Sequence, residues 1–266
     1  MIRSVFINLD SAVERRAYME EQGRKIGLPL ERLPAVKADT IAPSLMQGLG
    51  QSWERPLTPS ELACFLSHRA AWWQVLAENR PMLVLEDDAV LSSELPAAIA
   101  AAENLSGIDF LNFEDFDRRR FVRRGGAMPL MPGVSLVSSA RDKAGSAAYM
   151  LWPSGARKLL ALSERRAAPA DAFLHAEARL ASRISEPALA AQMHVLAARG
   201  QDFGAHAASS IQAVRHKLPF SRKNLHFFRR RLMTQLRLAP YHLGRLGPLS
   251  YRKILFQPSA APAKTS

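Results

Sequence analysis

Cysteine occurs once in the 266 residues, at Cys64, so no internal disulfide framework holds this chain together and a reducing, cytoplasmic compartment fits it. No stretch reaches the roughly eighteen uninterrupted apolar residues that a membrane span requires. Residues 1–5 run into charge by Asp10, which is unlike a signal peptide. Acidic side chains are missing altogether from the last quarter. Residues 203–266 hold 12 Lys and Arg and no Asp or Glu, whereas residues 1–202 hold 24 of each sign. The net charge of +12 therefore belongs to a tail, and the balanced body argues against a nucleic-acid binder. With 48% hydrophobic residues the chain can bury a core, which excludes wholesale disorder.

What is present alternates between strand and helix signals. Val5-Phe6-Ile7-Asn8-Leu9-Asp10 reads as a strand, and Ser11 with Glu14 reads as a capping box for a helix that Gly27 and Pro29 stop near Ile26. A strand follows at 31–36, then an irregular loop at 37–57 rich in Gly and Pro. Thr58-Pro59-Ser60-Glu61 is a second capping box with proline at the first helical position, opening a helix to about Glu78. Met82-Leu83-Val84-Leu85 is an unbroken apolar run, the signature of a strand buried on both faces. Further strands are expected at 108–113, 134–137 and 145–152, and helices at 153–162 and 170–181. The five arginines of residues 118–124 read as a loop or lid. This alternation predicts an α/β fold with a central, mainly parallel sheet.

Glu86-Asp87-Asp88 ends the most buried strand. Three adjacent carboxylates there repel one another and lose solvation, and a divalent cation such as Mn²⁺ or Mg²⁺ offsets both costs. Open α/β sheets bind ligands beyond the carboxyl ends of their strands, where this triplet lies. The alternative is a helix cap with two solvated neighbours.

Five ordered segments resemble glycosyltransferase family 25, the lipooligosaccharide and collagen galactosyltransferases. They are Phe6-Ile7-Asn8-Leu9-Asp10 with Glu14-Arg15-Arg16; residues 57–68, ending Phe65-Leu66-Ser67-His68; Leu83-Val84-Leu85-Glu86-Asp87-Asp88; Gly145-Ser146-Ala147-Ala148-Tyr149 with Gly155-Ala156-Arg157-Lys158; and Pro169-Ala170-Asp171. Ser209-Ser210-Ile211 is a weaker sixth. The resemblance covers residues 2–212 and implies a GT-A-like fold with a Rossmann-like nucleotide half. It also implies an inverting transfer of a hexose, galactose by kinship, from a UDP-sugar to a glycan or lipid-linked glycan acceptor. On that resemblance Asp88 and Glu86 hold the metal, which takes up charge on the departing UDP. Asp171 is the first candidate for the base that deprotonates the acceptor and Asp115 the second; Asp171 also reads as a helix N-cap. Asn8, Asp10, Arg15, Arg16, Ser67, His68 and Asp87 are donor-binding candidates.

Several of these have plainer readings. Asp10 can simply lead into a turn, with Arg15 and Arg16 solvated. His68 and Ser67 can be satisfied interior polar groups. Trp72, Trp73 and Tyr149 suit a core, and Cys64 a buried inert thiol. A metal-dependent phosphodiesterase is a rival enzyme class, but the sequence offers no second ligand set. The tail, 215–253, interleaves eleven basic residues with leucines and phenylalanines. That composition suits peripheral contact with an anionic membrane at its inner face, with nucleic acid as the rival partner and a solvated appendage as the plain reading. The expected organisation is a transferase domain over 1–212, a basic amphipathic segment over 213–256 and a disordered tail over 257–266.

Overall fold

The computed structural model describes residues 2–142, 145–204 and 218–259. Its strands are β1 (Arg3–Asn8), β2 (Glu31–Pro34), β3 (Met82–Glu86), β4 (Ala89–Leu91), β5 (Phe110–Asn112), β6 (Glu114–Asp115), β7 (Arg120–Arg123), β8 (Met128–Met131), β9 (Val134–Arg141), β10 (Ala148–Leu151), β11 (Ser182–Glu186), β12 (Ala190–Gln192) and β13 (Leu249–Arg252). Its helices are α1 (Val13–Ile26), α2 (Pro43–Gln47), α3 (Pro59–Glu78), α4 (Leu95–Ala102), α5 (Pro153–Ser163), α6 (Ala170–Ala172), α7 (Met193–Ala197) and α8 (Leu225–Leu243). The stretch expected as an irregular loop holds α2 and two single 3₁₀ turns.

The large sheet runs β13-β7-β9-β11-β5-β10-β3-β1-β2, with β8 added to β9. The expected parallel pairing is found in β2-β1-β3 and between β5 and β11. Strand β10 runs antiparallel between β3 and β5, and the far side is antiparallel, so the sheet is mixed. A second sheet, β4-β12-β6, crosses the carboxyl edge.

Period-2 alternation divides the core between the two faces. Phe6, Leu83 and Leu85 pack with Met19 of α1 and Leu95 and Ile99 of α4. Val5, Ile7 and Val84 pack on the opposite face with Leu62, Phe65 and Trp72 of α3 and Leu159 of α5. Helix α3 starts as its sequence requires: the Thr58 hydroxyl accepts from the Glu61 amide and Glu61 accepts from the Thr58 amide. The corresponding expectation for α1 is not met. Its N-cap is Ala12 with no side-chain cap, and the Asn8 amide group instead donates to the Ala12 carbonyl, 3.1 Å. Gly27 does end α1 in the left-handed conformation.

Two further expectations change. The helix expected at 170–181 is α6 followed by a π-turn at Phe173–Glu177, after which the chain straightens into β11. The arginine run is not a lid, because residues 120–123 form β7 between β9 and β13. Arg120 is 1% exposed, donates to Asp142 at 3.0 Å and to the Glu114 carbonyl, and lies 4.1 Å over the Phe116 ring. Removing Arg120 takes from buried Asp142 its cationic partner. Arg120→Leu is expected to cost about 3–5 kcal/mol of unfolding free energy, read as a lower urea midpoint at unchanged slope.

The basic segment is stitched to the body. Phe227 of α8 is buried, Arg230 donates to the Gln51 and Trp53 carbonyls at 2.7 and 2.9 Å, and β13 extends the sheet. Gln257 and Pro258, expected in a disordered tail, are hydrogen-bonded to Ala188 and Ser93. Residues 209–211 of the weak sixth motif lie outside the described residues.

Candidate active site

Strands β1, β3 and β5 end at the same edge of the sheet, and antiparallel β10 begins there. That topology gathers Asn8, Glu86-Asp87-Asp88, Glu114 and Ser146 from distant parts of the chain. The pairing of β12 with β4 sets Gln192 opposite Ala89, one residue beyond the triplet, and leads into His194 of α7. From the β1–β3 face, α3 contributes Ser60, Cys64, Ser67 and His68, which share one side of a helix.

Two cavities meet at this edge. The first is lined by Asn8, Arg15, Ser67, His68, Asp87 and Asp88 among others, and the second by Glu114, Arg118, Ser146 and Asp171 among others. Cys64, Glu86, Gln192 and His194 line both.

Within the triplet, each carboxylate has a different environment. Glu86 Oε1 accepts from Ser146 Oγ at 2.5 Å and from His68 Nε2 at 3.2 Å. Burial works to raise its pKa, but the bonds from His68 and Ser146 override this and hold it below the ordinary value. Behind it, Trp72 Nε1 donates to the Tyr149 hydroxyl and Tyr149 meets His68 Nδ1, each at 2.9 Å. The Trp72–Tyr149–His68 chain thus leads to Glu86, with His68 Nε2 as its last link. His68 and Tyr149 are fully buried, so both act by fixing Glu86 from below. Asp87 is tied to β1 and α1, accepting from Asn8 Nδ2 at 2.7 Å and Arg15 Nη1 at 3.0 Å. Asp88 is the poorly satisfied member. Its side chain meets only Gln192 Nε2 among the described residues, at 3.4–3.5 Å, and burial with repulsion from Glu86 pushes its pKa up to about 7.

The remaining candidates separate clearly. Asp171 lies in the second cavity at the start of α6, whose N-cap is Pro169, and burial raises its pKa. Asp115 is buried but fully engaged. It makes a two-pronged pair with Arg199 at 2.7 and 3.2 Å and accepts from the Phe256 amide at 2.9 Å, anchoring the C-terminal segment. Asp10 is on the surface, paired with Arg32 and Lys37, and Arg16 pairs with Glu20 along α1. Neither lines either of these two cavities. Ser67 donates to the Ala63 carbonyl and accepts from the Val36 amide, each at 2.8 Å, which joins α3 to the chain after β2.

The ligand atoms of Cys64, His68 and Glu86 lie within 4.8 Å of one another. They do not suit a metal. Both His68 nitrogens are engaged, and burial beside Glu86 and Asp171 keeps the Cys64 thiol protonated.

Sequence reasoning missed Gln192, His194, Ser146 and Glu114. Glu114 is 1% exposed; its Oε2 accepts from the Ala147 amide at 2.7 Å and its Oε1 has no partner among the described residues. Burial raises its pKa well above the ordinary 4.5. A raised carboxyl pKa stabilises the fold while protonated and loses that contribution as pH climbs from the unfolded value through the folded one. The contribution of Glu114 to stability should therefore fall from about pH 4.5 upward. Glu114→Gln should flatten that slope in denaturant melts taken across pH; an unchanged slope would show that Glu114 is ionised in the fold.

Comparison with known proteins identifies the family. The model of "Glycosyltransferase family 25 (LPS biosynthesis protein)" matches residues 1–174, which contain β1, α3, the acidic triplet and Asp171. A "Glycosyltransferase 25 family member" of Aedes aegypti is 31% identical over 173 residues, 58% of this chain and 27% of that protein. The "Lipooligosaccharide biosynthesis protein lic2B" of Haemophilus influenzae is 26% identical over 163 residues, 58% of this chain and 61% of the relative. "Lacto-N-neotetraose biosynthesis glycosyltransferase LgtB" of Neisseria meningitidis serogroup B is 34% identical over 92 residues, 33% of each chain. The chain thus spans between about a quarter and three-fifths of these relatives' lengths. With a family model covering well over half its residues, and the matched motifs converging on one edge of the sheet, this chain belongs to glycosyltransferase family 25.

Proposed function

We propose that this chain is a metal-dependent, inverting glycosyltransferase of GT-A type that moves a hexose from a UDP-sugar to a glycan acceptor. The observation that carries the reading is Asp88, a half-buried carboxylate beside Glu86 whose side chain has no close partner among the described residues, at the carboxyl end of a buried strand. A hard dication, Mn²⁺ or Mg²⁺, suits such oxygen ligands. Asp88 would hold it, with Glu86 Oε2 and His194 within the same cavity. That cation supplies charge stabilisation to the departing diphosphate.

The first cavity is the donor side. Asn8, Arg15 and Asp87 form a linked polar wall there, and Arg15 brings positive charge to the nucleotide. The second cavity is the acceptor side, where Asp171 accepts the proton of the attacking hydroxyl. The acceptor oxygen bonds to the anomeric carbon on the face opposite the nucleotide, and the sugar–phosphate bond breaks with its electron pair leaving on UDP. Asp115, held by Arg199, is left to structure. Galactose follows from the family resemblance, and an envelope lipooligosaccharide acceptor from the names of the bacterial relatives.

A thermal-shift panel of UDP-sugars with and without Mn²⁺ tests the reading, since a bound donor raises apparent stability by mass action. One UDP-sugar should raise the melting temperature only when the cation is present. Equal shifts with and without cation would remove the metal from the donor site.

A further inference from the structure

Helix α8 shows solvent an apolar stripe that its neighbours do not cover. At about 100° per residue, Leu225, Leu232, Leu236 and Leu243 fall within about 20° of one meridian. Their exposures are 55%, 58%, 57% and 69%. Phe220 and Leu246, at 82% and 91%, extend the stripe beyond both helix ends. Scattered exposed leucines need no explanation, but a row along 19 residues does. The stripe lies in the part of the chain without carboxylates: residues 218–259 hold nine Lys and Arg and no acid. Arg222, Lys223, Arg229, Arg231, Arg237 and Arg245 are all exposed around it.

An open groove of about 1050 Å³ adjoins the distal end of the stripe, between α8 and β13. It is lined by Arg124, Arg245, His242 and Tyr251 together with Leu243 and Leu246. The Arg245 guanidinium lies over the Tyr251 ring, 5.2 Å from its centroid. Cationic groups and leucines in one groove match a ligand that is anionic at one end and apolar at the other.

We propose that α8 and this groove form a docking face for an anionic lipid bilayer. The leucine stripe enters the headgroup boundary while the arginines meet lipid phosphates. No helix among the described residues is long and apolar enough to cross a membrane, so α8 lies in the plane of the surface. Charge selects this occupant over the others. A second copy would bring nine like charges against nine, and a nucleic acid would leave the leucines against a hydrated polyanion. Docking of this kind does not depend on the sugar-transfer chemistry and can be tested without a donor.

The test is co-sedimentation of the full chain with vesicles of equal parts phosphatidylglycerol and phosphatidylcholine, and with phosphatidylcholine alone. Binding to the anionic vesicles should exceed binding to the neutral ones by about tenfold or more. Leu232→Ser with Leu236→Ser, which alters only exposed positions, should lower it by a further order of magnitude, roughly. Arg229→Gln with Arg231→Gln should weaken anionic binding on the order of tenfold and leave neutral binding unchanged. Circular dichroism melts should match wild type for both pairs. Binding that ignores the leucine changes would overturn the proposal, as would absent vesicle binding alongside leucine-dependent dimerisation or tight binding to single-stranded RNA.

Discussion

Replacing Asp88 with Asn is expected to lower sugar transfer by about a thousandfold or more while leaving the protein at least as stable. The size follows from the chemistry. A cation at a leaving diphosphate contributes several kcal/mol of charge stabilisation in the transition state, and each 1.36 kcal/mol is a factor of ten. Intact folding follows from the geometry. The Asp88 side chain makes only long contacts to Gln192 among the described residues, so an isosteric amide loses little, and it removes a carboxylate that burial and Glu86 disfavour. Without divalent cation the variant should melt no lower than wild type, and Mn²⁺ should no longer raise its melting temperature. Turnover at the wild-type rate would take the metal away from Asp88.

Asp171→Asn carries the second large effect. A positioned base contributes about 10²–10⁴-fold, so kcat should fall by that factor with donor KM nearly unchanged, because Asp171 lines the second cavity and not the first. The comparison with Asp115 separates chemistry from structure. Asp115 holds Arg199 and the Phe256 amide, so Asp115→Asn should lower the urea midpoint and leave kcat per folded molecule near wild type. Breaking that pair should cost about 2 kcal/mol, below the range for a fully buried pair because Arg199 is 31% exposed. A wild-type kcat in Asp171→Asn, with the loss appearing in Asp115→Asn, would reverse the two assignments.

Sequence and structure agree where a local rule leaves little choice. Thr58 and Glu61 cap α3 because each satisfies an amide of the other's peptide. Met82–Leu85 reads as a strand buried on both faces and is one, with the acidic triplet at its carboxyl end. Agreement fails where two chemistries compete for one residue. Asn8 takes the Ala12 carbonyl, and α1 starts without the Ser11 cap. The run of arginines at 118–124 reads as a loop or lid, yet Arg120 finds Asp142 across β9, a partner twenty-two positions away. The missing parts of the site share one cause. Gln192 and His194 reach it through the pairing of β12 with β4 and β6, and Ser146 through antiparallel β10, contacts that no local pattern encodes. The mixed sheet has the same origin, since β10 has the apolar run of a buried strand and nothing local in it to set its direction.

Crystals soaked with MnCl₂ and UDP, with anomalous scattering recorded at the manganese edge, would test the site most directly. A single strong peak within bonding distance of the Asp88 carboxylate, touching the diphosphate, is the result predicted here. Manganese and nucleotide bound together at another place, with Glu86, Asp87 and Asp88 contacted only by water, would contradict it.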